Sequence, residues 1–303
     1  MTQDRANKQK RGAEKYAYVQ DYLPIKNLRS GILETTDGRY IKLLEVEPIN
    51  FTLRSEEEQF NIIAGFASWL KLSPMRLQFK SITRKADSDK HIAMIREELE
   101  REENPQCREL GEDYIRLIKD VGSREALTRR FFLIFQYEAA GRNESDDYAK
   151  IFGALQTAEQ NARAYFAQCG NNIVQPKDPD EAAAEILYQF FNRRSCVEEP
   201  FSSRVSRVVV DSMAAKKKVI GVDPVPPIPI VHFLAPRGID LTHYNYFIMD
   251  GLYYTILYIR GSGYPSRVRA GWMSSLINAG EGIDVDIHLR RENRSRTIDK
   301  VAQ

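Results

Sequence analysis

Two Asp-Gly dipeptides constrain the fold of this chain more than any other sequence feature. They stand at Asp37-Gly38 and Asp250-Gly251, and each lies between two runs of apolar, aromatic and β-branched residues. Asp and Gly both accept the positive φ that a two-residue hairpin turn requires, so each dipeptide predicts a β-hairpin. The predicted strand pairs are 31–35 with 40–46 and 244–249 with 252–260.

A helix and then a strand are predicted after the first hairpin. Ser55 and Glu58 have the spacing of a capping box, in which each side chain bonds the other residue's backbone N–H at a helix N-terminus. In the strand that follows, Leu77 and Phe79 alternate with polar residues. The helix between them carries apolar residues at helical spacing, namely Ile62, Ile63, Phe66, Trp69 and Leu70.

The same order follows the second hairpin. Pro265 suits the first turn of a helix because it has no N–H to lose. From 283 to 289 apolar and polar residues alternate, which predicts a strand with one apolar face. The helix residues expected on one face are Val268, Trp272, Leu276 and Ala279. The order ββαβ therefore occurs near both ends of the chain, although the two copies are not similar in sequence.

These elements predict an α+β fold, with ferredoxin-like ββαβ units, packed helices and an antiparallel or mixed sheet. We expect one unit over 30–85, a second over 243–290, and a helical insert over 87–220 between them. Together they form an assembly domain over 21–290, which follows a disordered basic tail over 1–20.

Local signals divide the insert. Pro105 interrupts a charged helical pattern, so two helices are expected there. The run 131–137 is almost uninterruptedly apolar, which is typical of a strand covered on both faces. A helix over 148–167 follows, and Asp178 with Pro179 forms a favourable start for the next one.

Composition excludes some classes of protein. With 44 Lys+Arg against 42 Asp+Glu the net charge is +2, which gives no whole-chain argument for binding nucleic acid or an anionic membrane. Cys107, Cys169 and Cys196 have no partner at metal-ligand spacing, so we expect reduced thiols in a cytosolic protein. No segment approaches the ~20 apolar residues of a membrane span.

The sequence predicts no catalytic and no cofactor-binding residue. A phosphate-binding loop requires G-x-x-x-x-G-K-[ST], and the chain contains no Gly-Lys pair. Gly261-Ser262-Gly263 is better explained as a turn, and the acid that ends 208–211 (VVVD) has no lysine loop to serve. His91, His232 and His243 form no assignable triad.

No metal site is predicted either. Asp284, Asp286 and His288 point to one face of a strand, but ligands at this spacing lie about 7 Å apart and cannot share an ion without another element. A polar outer strand face is the better interpretation.

Nucleic-acid binding remains an alternative function. A short basic run, 216–218, and the basic tail supply positive charge. The aromatic residues of the second hairpin could stack on bases, but they lack a dense interleaved basic set, which favours core and interface packing.

Both ends of the chain resemble one family. Residues 21–60 (DYLPIKNLRSGILETTDGRYIKLLEVEPINFTLRSEEEQF) and 263–290 (GYPSRVRAGWMSSLINAGEGIDVDIHLR) are similar to the N-terminal domain of conjugative-transfer ATPases of type IV secretion systems, the TraC/CagE/TrbE/VirB class. The resemblance implies an oligomeric docking domain of a mobile genetic element's conjugation machinery.

The resemblance also implies a setting. In that family a motor domain that binds ATP and Mg²⁺ follows, so 291–303 would begin the linker helix to it, and the full-length protein would be an ATPase. The expected partners are inner-membrane secretion-channel subunits and further copies of the chain. The expected location is the cytoplasm, peripheral to the inner face of the cell membrane. No catalytic residue carries over from the family.

Overall fold

The structure is a computed structural model that describes residues 19–73, 76–85, 89–124, 127–138, 147–216, 227–260, 263, 271–280 and 282–289. The chain forms two compact units. We call residues 38–179 and 259–303 the sheet unit, and residues 1–37 and 180–258 the hairpin unit.

The secondary structure is mixed α and β, as the sequence predicts. The strands are β1 (Ile25–Arg29), β2 (Ile32–Thr35), β3 (Arg39–Glu47), β4 (Arg76–Lys85), β5 (Leu127–Glu138), β6 (Asn172–Ile173), β7 (Ile239–Asp240), β8 (Phe247–Met249), β9 (Leu252–Tyr254) and β10 (Asp284–Leu289). The helices are α1 (Glu56–Leu72), α2 (Asp89–Arg101), α3 (Pro105–Arg124), α4 (Tyr148–Gln168), α5 (Pro179–Phe191), α6 (Ser195–Glu198), α7 (Phe201–Lys216), α8 (Val231–Leu234) and α9 (Trp272–Ile277).

The sheet unit has a ferredoxin-like core. Its strands lie in the order β6-β3-β5-β4-β10, and every pair is antiparallel. Along the chain the core runs β3-α1-β4-β5-α4-β6, with α2 and α3 inserted between β4 and β5. This is the split βαβ arrangement, in which β5 lies between the parallel strands β3 and β4. The predicted fold class is confirmed.

The central strand β5 is covered on both faces, as its apolar run predicts. Phe132, Leu133 and Phe135 are each only 1% exposed, although successive side chains of a strand point to opposite faces. Burial of such a side chain contributes about 1.5–3 kcal/mol, so β5 supplies a large part of the stability of the unit.

Helices α1 and α4 pack against each other over one face of this sheet. Trp69 of α1 stands edge-on to Phe166 of α4, at 5.2 Å between ring centroids, and to Phe79 of β4, at 6.2 Å. Phe66 joins the same cluster at 5.7 Å from both Trp69 and Phe79. These aromatic rings form the layer between the helices and the sheet.

The inserted helices form a pair of their own. Helix α2 ends at Arg101 and α3 begins at Pro105, so the predicted break at this proline is confirmed. Ile92 of α2 and Ile115 of α3 are buried. A Cβ added at Gly111 of α3 would stand 2.3 Å from a Leu99 methyl carbon, so Gly111 lets the two helices approach closely.

The hairpin unit contains a hairpin that the sequence analysis missed. Strand β1 pairs with β2, and the turn between them is Ser30-Gly31, where both residues have positive φ. The Gly31 N–H donates to Asp180 Oδ1 at 2.5 Å and so ties the turn to the start of α5. Because Ser-Gly is a weaker turn signal than Asp-Gly, the sequence predicts the strand at 31–35 but not its partner at 25–29.

The hairpin at Asp250-Gly251 forms, but it is shorter than predicted. Both turn residues have positive φ, and β8 pairs with β9 and also with β7. The prediction that the second strand reaches Arg260 is wrong, because strand pairing ends at Tyr254. No strand lies beside residues 255–260 among those the structure describes.

The final strand of the predicted C-terminal unit lies in the central sheet. Strand β10 pairs with β4 over its whole length, whereas β8 and β9 belong to the hairpin unit. Pro265 and Val268 lie outside the described residues, and α9 is the described part of the predicted helix. The predicted domain boundaries stay a prediction.

Candidate functional site

An apolar groove lies between α1 and α4 in the sheet unit, with a volume of about 170 Å³. Trp69 forms part of its floor and is only 2% exposed. The full lining is Ile62, Ile63, Phe66, Trp69, Tyr165, Phe166, Cys169 and Asn171. A concave surface with this lining suits an apolar side chain of a partner far better than a charged small molecule.

Cys169 lines the groove, and its surroundings favour the protonated thiol. Its Sγ lies 3.7 Å from the Ile62 carbonyl oxygen, which accepts its hydrogen bond, and burial raises the pKa of the thiol. A raised pKa keeps the protonated form, which is the unreactive one. Gly65 leaves room for the sulfur, since a Cβ there would stand 3.2 Å from it.

The rim of the groove is apolar and open to solvent. Ile63 is 58% exposed and Phe60, one turn earlier on α1, is 70% exposed. Large apolar side chains grouped beside a concave apolar surface are typical of interaction sites in soluble proteins. We call the lining residues together with Phe60 the α1–α4 groove.

A second exposed apolar surface runs along α3. Leu110, Tyr114 and Leu117 are 71%, 49% and 57% exposed. Their spacing of four and three residues aligns them on one side of the helix. Ile115, by contrast, is buried, so this stripe is distinct from the buried side of α3. We call the three residues the α3 stripe.

The hairpin unit has a larger and more polar depression of about 600 Å³. Asp250 organises it by accepting the Ser195 hydroxyl at 2.6 Å and the backbone N–H groups of Arg237 and Gly238 at 2.8 and 3.1 Å. The lining is Arg194, Ser195, Glu198, Arg237, Gly238, Ile239, Asp240, Ile248, Asp250 and Gly251. No histidine is among these lining residues, and the hydrogen bonds to Asp250 fasten the hairpin turn to α6.

A charge cluster around Glu199 is also structural. Arg207 donates two hydrogen bonds to this carboxylate at 2.6 and 2.9 Å, and Arg237 donates a third at 3.4 Å. The Arg207 bond is the main reason that the pKa of Glu199 is lowered. The Tyr188 hydroxyl donates to the backbone oxygen of Glu199 at 3.0 Å, and burial raises the pKa of that hydroxyl.

The residues after β9 expose a third apolar surface. Ile256, Leu257 and Tyr258 are 77%, 90% and 70% exposed. In the hairpin itself, the rings of Phe247 and Tyr254 stack on each other with 5.1 Å between their centroids. Packing within the hairpin therefore accounts for these two aromatic residues but not for the exposed Tyr258.

The three residues weighed as metal ligands lie on exposed positions of β10. Asp286 accepts hydrogen bonds across the strand pair from Gln78, at 2.6 Å, and Lys80, at 3.0 Å. Asp284 and His288 are exposed on the same strand face. Within the described part of the chain, no three His, Cys, Asp or Glu side chains are grouped so that they could hold a metal ion.

The remaining candidate residues give little further support for a catalytic or ligand-binding site. Residues 208–211 lie inside α7, so this acid does not follow a strand as a metal-binding acid of a nucleotide site would. No disulfide joins any two of the three cysteines. Gly261, Ser262, most of the 216–218 run and the basic tail lie outside the described residues.

The sequence patterns do not identify which apolar helix residues remain exposed. Ile63 is among the apolar residues at helical spacing in α1, and the structure leaves it 58% exposed. The apolar i, i+4, i+7 spacing of the α3 stripe was a signal that could have indicated a contact surface.

The described residues thus define an α+β module with a ferredoxin-like core and exposed apolar helix surfaces. The family model of the archaeal TraC-like domain matches residues 26–166, the segment that contains α1, α3 and nearly all of α4. Residues 26–166, slightly less than half of the chain, are therefore similar to a TraC-like domain. The match does not extend to the bacterial type IV ATPase family of the sequence resemblance, and no curated protein matches the chain. None of the described helices is both long and apolar enough to span a membrane.

Proposed function

We propose that the TraC-like domain is the docking and oligomerisation part of a conjugative-transfer ATPase that energises assembly of a DNA or protein transfer channel. The proposal is carried by the exposed apolar surfaces of α1 and α3, both of which lie within the matched residues. The proposed partners are channel subunits in the inner membrane and further copies of the chain, met at the cytoplasmic face of that membrane.

The energetics favour a partner for these surfaces. Full burial of a Leu, Ile or Phe side chain lowers the free energy by about 1.5–3 kcal/mol relative to leaving it exposed. A side chain that stays mostly in water does not gain most of this stabilisation. Phe60, Ile63, Leu110 and Leu117 are all more than half exposed. A protein interface that covered them would gain enough to offset part of the entropy lost on association.

The motor activity belongs to a further domain in this proposal. ATP and Mg²⁺ would be bound there, because the required Gly-Lys pair occurs nowhere in these 303 residues. The domain described here would receive the conformational changes of the motor and pass them to the channel subunits.

Nucleic-acid binding is the second candidate. It would use the basic tail and the 216–218 run. Phosphate contacts weaken steeply with salt because bound counterions are released, whereas an apolar docking surface does not depend on salt in this way. A DNA-binding titration between low and physiological salt therefore separates the two functions.

The direct test is flotation of the purified chain with membrane vesicles. We expect it to float with vesicles that contain the channel subunits and to remain at the bottom with protein-free liposomes of the same lipids. Equal flotation with both would show binding to lipid and would contradict docking onto a protein partner. Flotation with neither would also contradict it.

A further inference from the structure

We propose that the α3 stripe of one copy binds in the α1–α4 groove of a second copy. This inference rests on the proposed function and adds the two surfaces that meet. Both lie in the sheet unit and both are open to solvent, so the chain presents a convex apolar surface and a concave one at the same time.

The shapes suit each other. The α3 stripe spans eight residues, about 10 Å along a helix, and its side chains have the i, i+4, i+7 spacing by which helices are held in apolar grooves. The groove is lined mainly by apolar and aromatic side chains, together with Cys169 and Asn171. Large, flat residues such as Phe66 and Tyr165 give a helix a wide contact area.

Charges around the two surfaces set an orientation. Helix α1 begins with Glu56 and Glu57 and ends near Lys71. On α3, the charged residues before the middle of the stripe have a net charge of −2 and those after it a net charge of +2, namely Arg108, Glu109, Glu112 and Asp113, and then Arg116, Lys119, Asp120 and Arg124. Asp113 and Arg116 also pair with each other. These charges flank the apolar contact and do not form its centre, so their effect is mainly on orientation.

An antiparallel arrangement of the two helices is the favourable one. It brings the basic half of α3 towards the acidic start of α1, and the acidic half of α3 towards Lys71. The linker before α3 adds Glu102 and Glu103 to that acidic end. A parallel arrangement would place like charges together.

The contact is heterologous, because each copy contributes a different surface. The copy at each end of the assembly still offers one free stripe or one free groove, so the assembly grows. It closes into a ring if the rotation between copies permits and otherwise continues as a filament. A two-fold contact between two stripes would instead stop at a dimer. This difference makes the proposal testable by mixing variants.

The test uses two variants of the full chain, Ile63→Asp in the groove and Leu117→Asp in the stripe. Both positions are more than half exposed, so the added charge should not disturb folding. Asn61→Asp is the matched control, since Asn61 is exposed on α1 and does not line the groove. Mass is measured by light scattering across a range of protein concentrations.

We expect the unaltered chain and the Asn61→Asp control to associate with rising concentration. Each of the other variants alone should lose at least tenfold in association. A mixture of the two should recover, because one intact groove and one intact stripe remain. The mixed complex should stop at two chains of 34.9 kDa each.

Three outcomes would overturn the inference. They are an unaltered chain that stays monomeric, a mixture that does not recover, and an Ile63→Asp variant that associates normally. The last would point to stripe-to-stripe contact. Flotation with channel subunits is measured on the same variants, so docking that persists without self-association would leave the proposed function standing.

Discussion

The residue that departs furthest from a simple apolar core is Lys42. It lies on β3 with its side chain 9% exposed, and its Nζ is 2.6 Å from Glu159 on α4. Glu159 also accepts from Arg163, which in turn donates to the carbonyl oxygens of Ile173 and Val174. A buried ion pair is costly to break because removal of one partner leaves a charge without compensation.

Replacement of Lys42 should therefore destabilise the protein markedly. We expect Lys42→Met to lower the free energy of unfolding by about 3 kcal/mol, towards the low end of the range for broken buried pairs, because Arg163 still compensates Glu159. Urea denaturation followed by circular dichroism measures this. Lys26→Met is the matched control and should change stability by less than about 1 kcal/mol, because the Lys26–Glu34 pair is exposed. Equal effects of the two would refute the role of the buried pair.

The same pair predicts a dependence on pH. Burial raises the pKa of Glu159, but the hydrogen bonds from Lys42 and Arg163 outweigh it, and the net pKa is lowered. The unfolded chain therefore takes up its proton first, and the contribution to stability is lost as the pH falls through the folded pKa. Glu159→Gln should consequently show a smaller loss of stability on acidification than the unaltered chain.

None of this could be derived from the sequence. Lys42 alternates with apolar residues on the strand, and the sequence does not show which strand positions a helix will cover. The partner Glu159 is 117 positions away by residue number and lies among surface-like polar residues of α4. Only the packing of α4 over β3 brings the two side chains together.

At the scale of elements, the first turn of α1 is the clearest example of local control. The Ser55 side chain accepts the Glu58 N–H at 3.3 Å, and the Glu58 carboxylate accepts the Ser55 N–H at 2.9 Å. Both bonds of the predicted capping box are confirmed. They satisfy N–H groups that an α-helix otherwise leaves without partners.

Removal of this cap should cost about 1 kcal/mol. We expect Ser55→Ala to reduce the free energy of unfolding by that amount, because the Glu58 N–H loses its acceptor. Ser68→Ala is the control, since the Ser68 hydroxyl donates only to the Ala64 carbonyl oxygen of its own helix, and it should change stability by no more than a few tenths. Thermal unfolding of both variants gives the comparison. A Ser55→Ala variant as stable as the control would argue against the cap.

Elements with strong local signals were predictable, and those with weak ones were not. Pro105, the Ser55 cap and the Asp250-Gly251 turn fix local conformation by themselves, and all three stand where the sequence predicts. At the first dipeptide only Gly38 has positive φ, and three residues separate β2 from β3 instead of the predicted two. The 255–260 segment has the composition of a strand, but strand formation also needs a partner edge, which the sequence does not specify.

At the scale of the whole molecule, the order of the strands depends on contacts that are very distant in sequence. Gln78 bonds Asp286 across a separation of 208 residues, because β10 forms the edge of the sheet beside β4. The sequence predicts both strands and the ferredoxin-like class. It does not predict that the last strand joins the first sheet, since hydrophobic alternation selects a face and not a neighbour.

The exposed apolar surfaces of α1 and α3 are unpredicted for the same reason, because a hydrophobic pattern does not show which neighbour will cover it. Apolar residues at helical spacing are expected to be buried, and for Trp69 and Ile115 this holds. Ile63 and Leu117 have similar spacing but remain exposed. The difference arises because each helix has an apolar surface wider than the face its neighbours cover, and that excess is the basis of the proposed docking function.

Site-specific photocrosslinking in the source cells tests this central claim most directly. A photoreactive amino acid is placed at Ile63, in the groove, and at Leu117, in the stripe, and the exposed Glu112 of α3 serves as the control position. The account predicts protein adducts at both apolar positions, to channel subunits or to a second copy, and few at Glu112. Adducts to nucleic acid alone, or apolar positions no more reactive than Glu112, would contradict it.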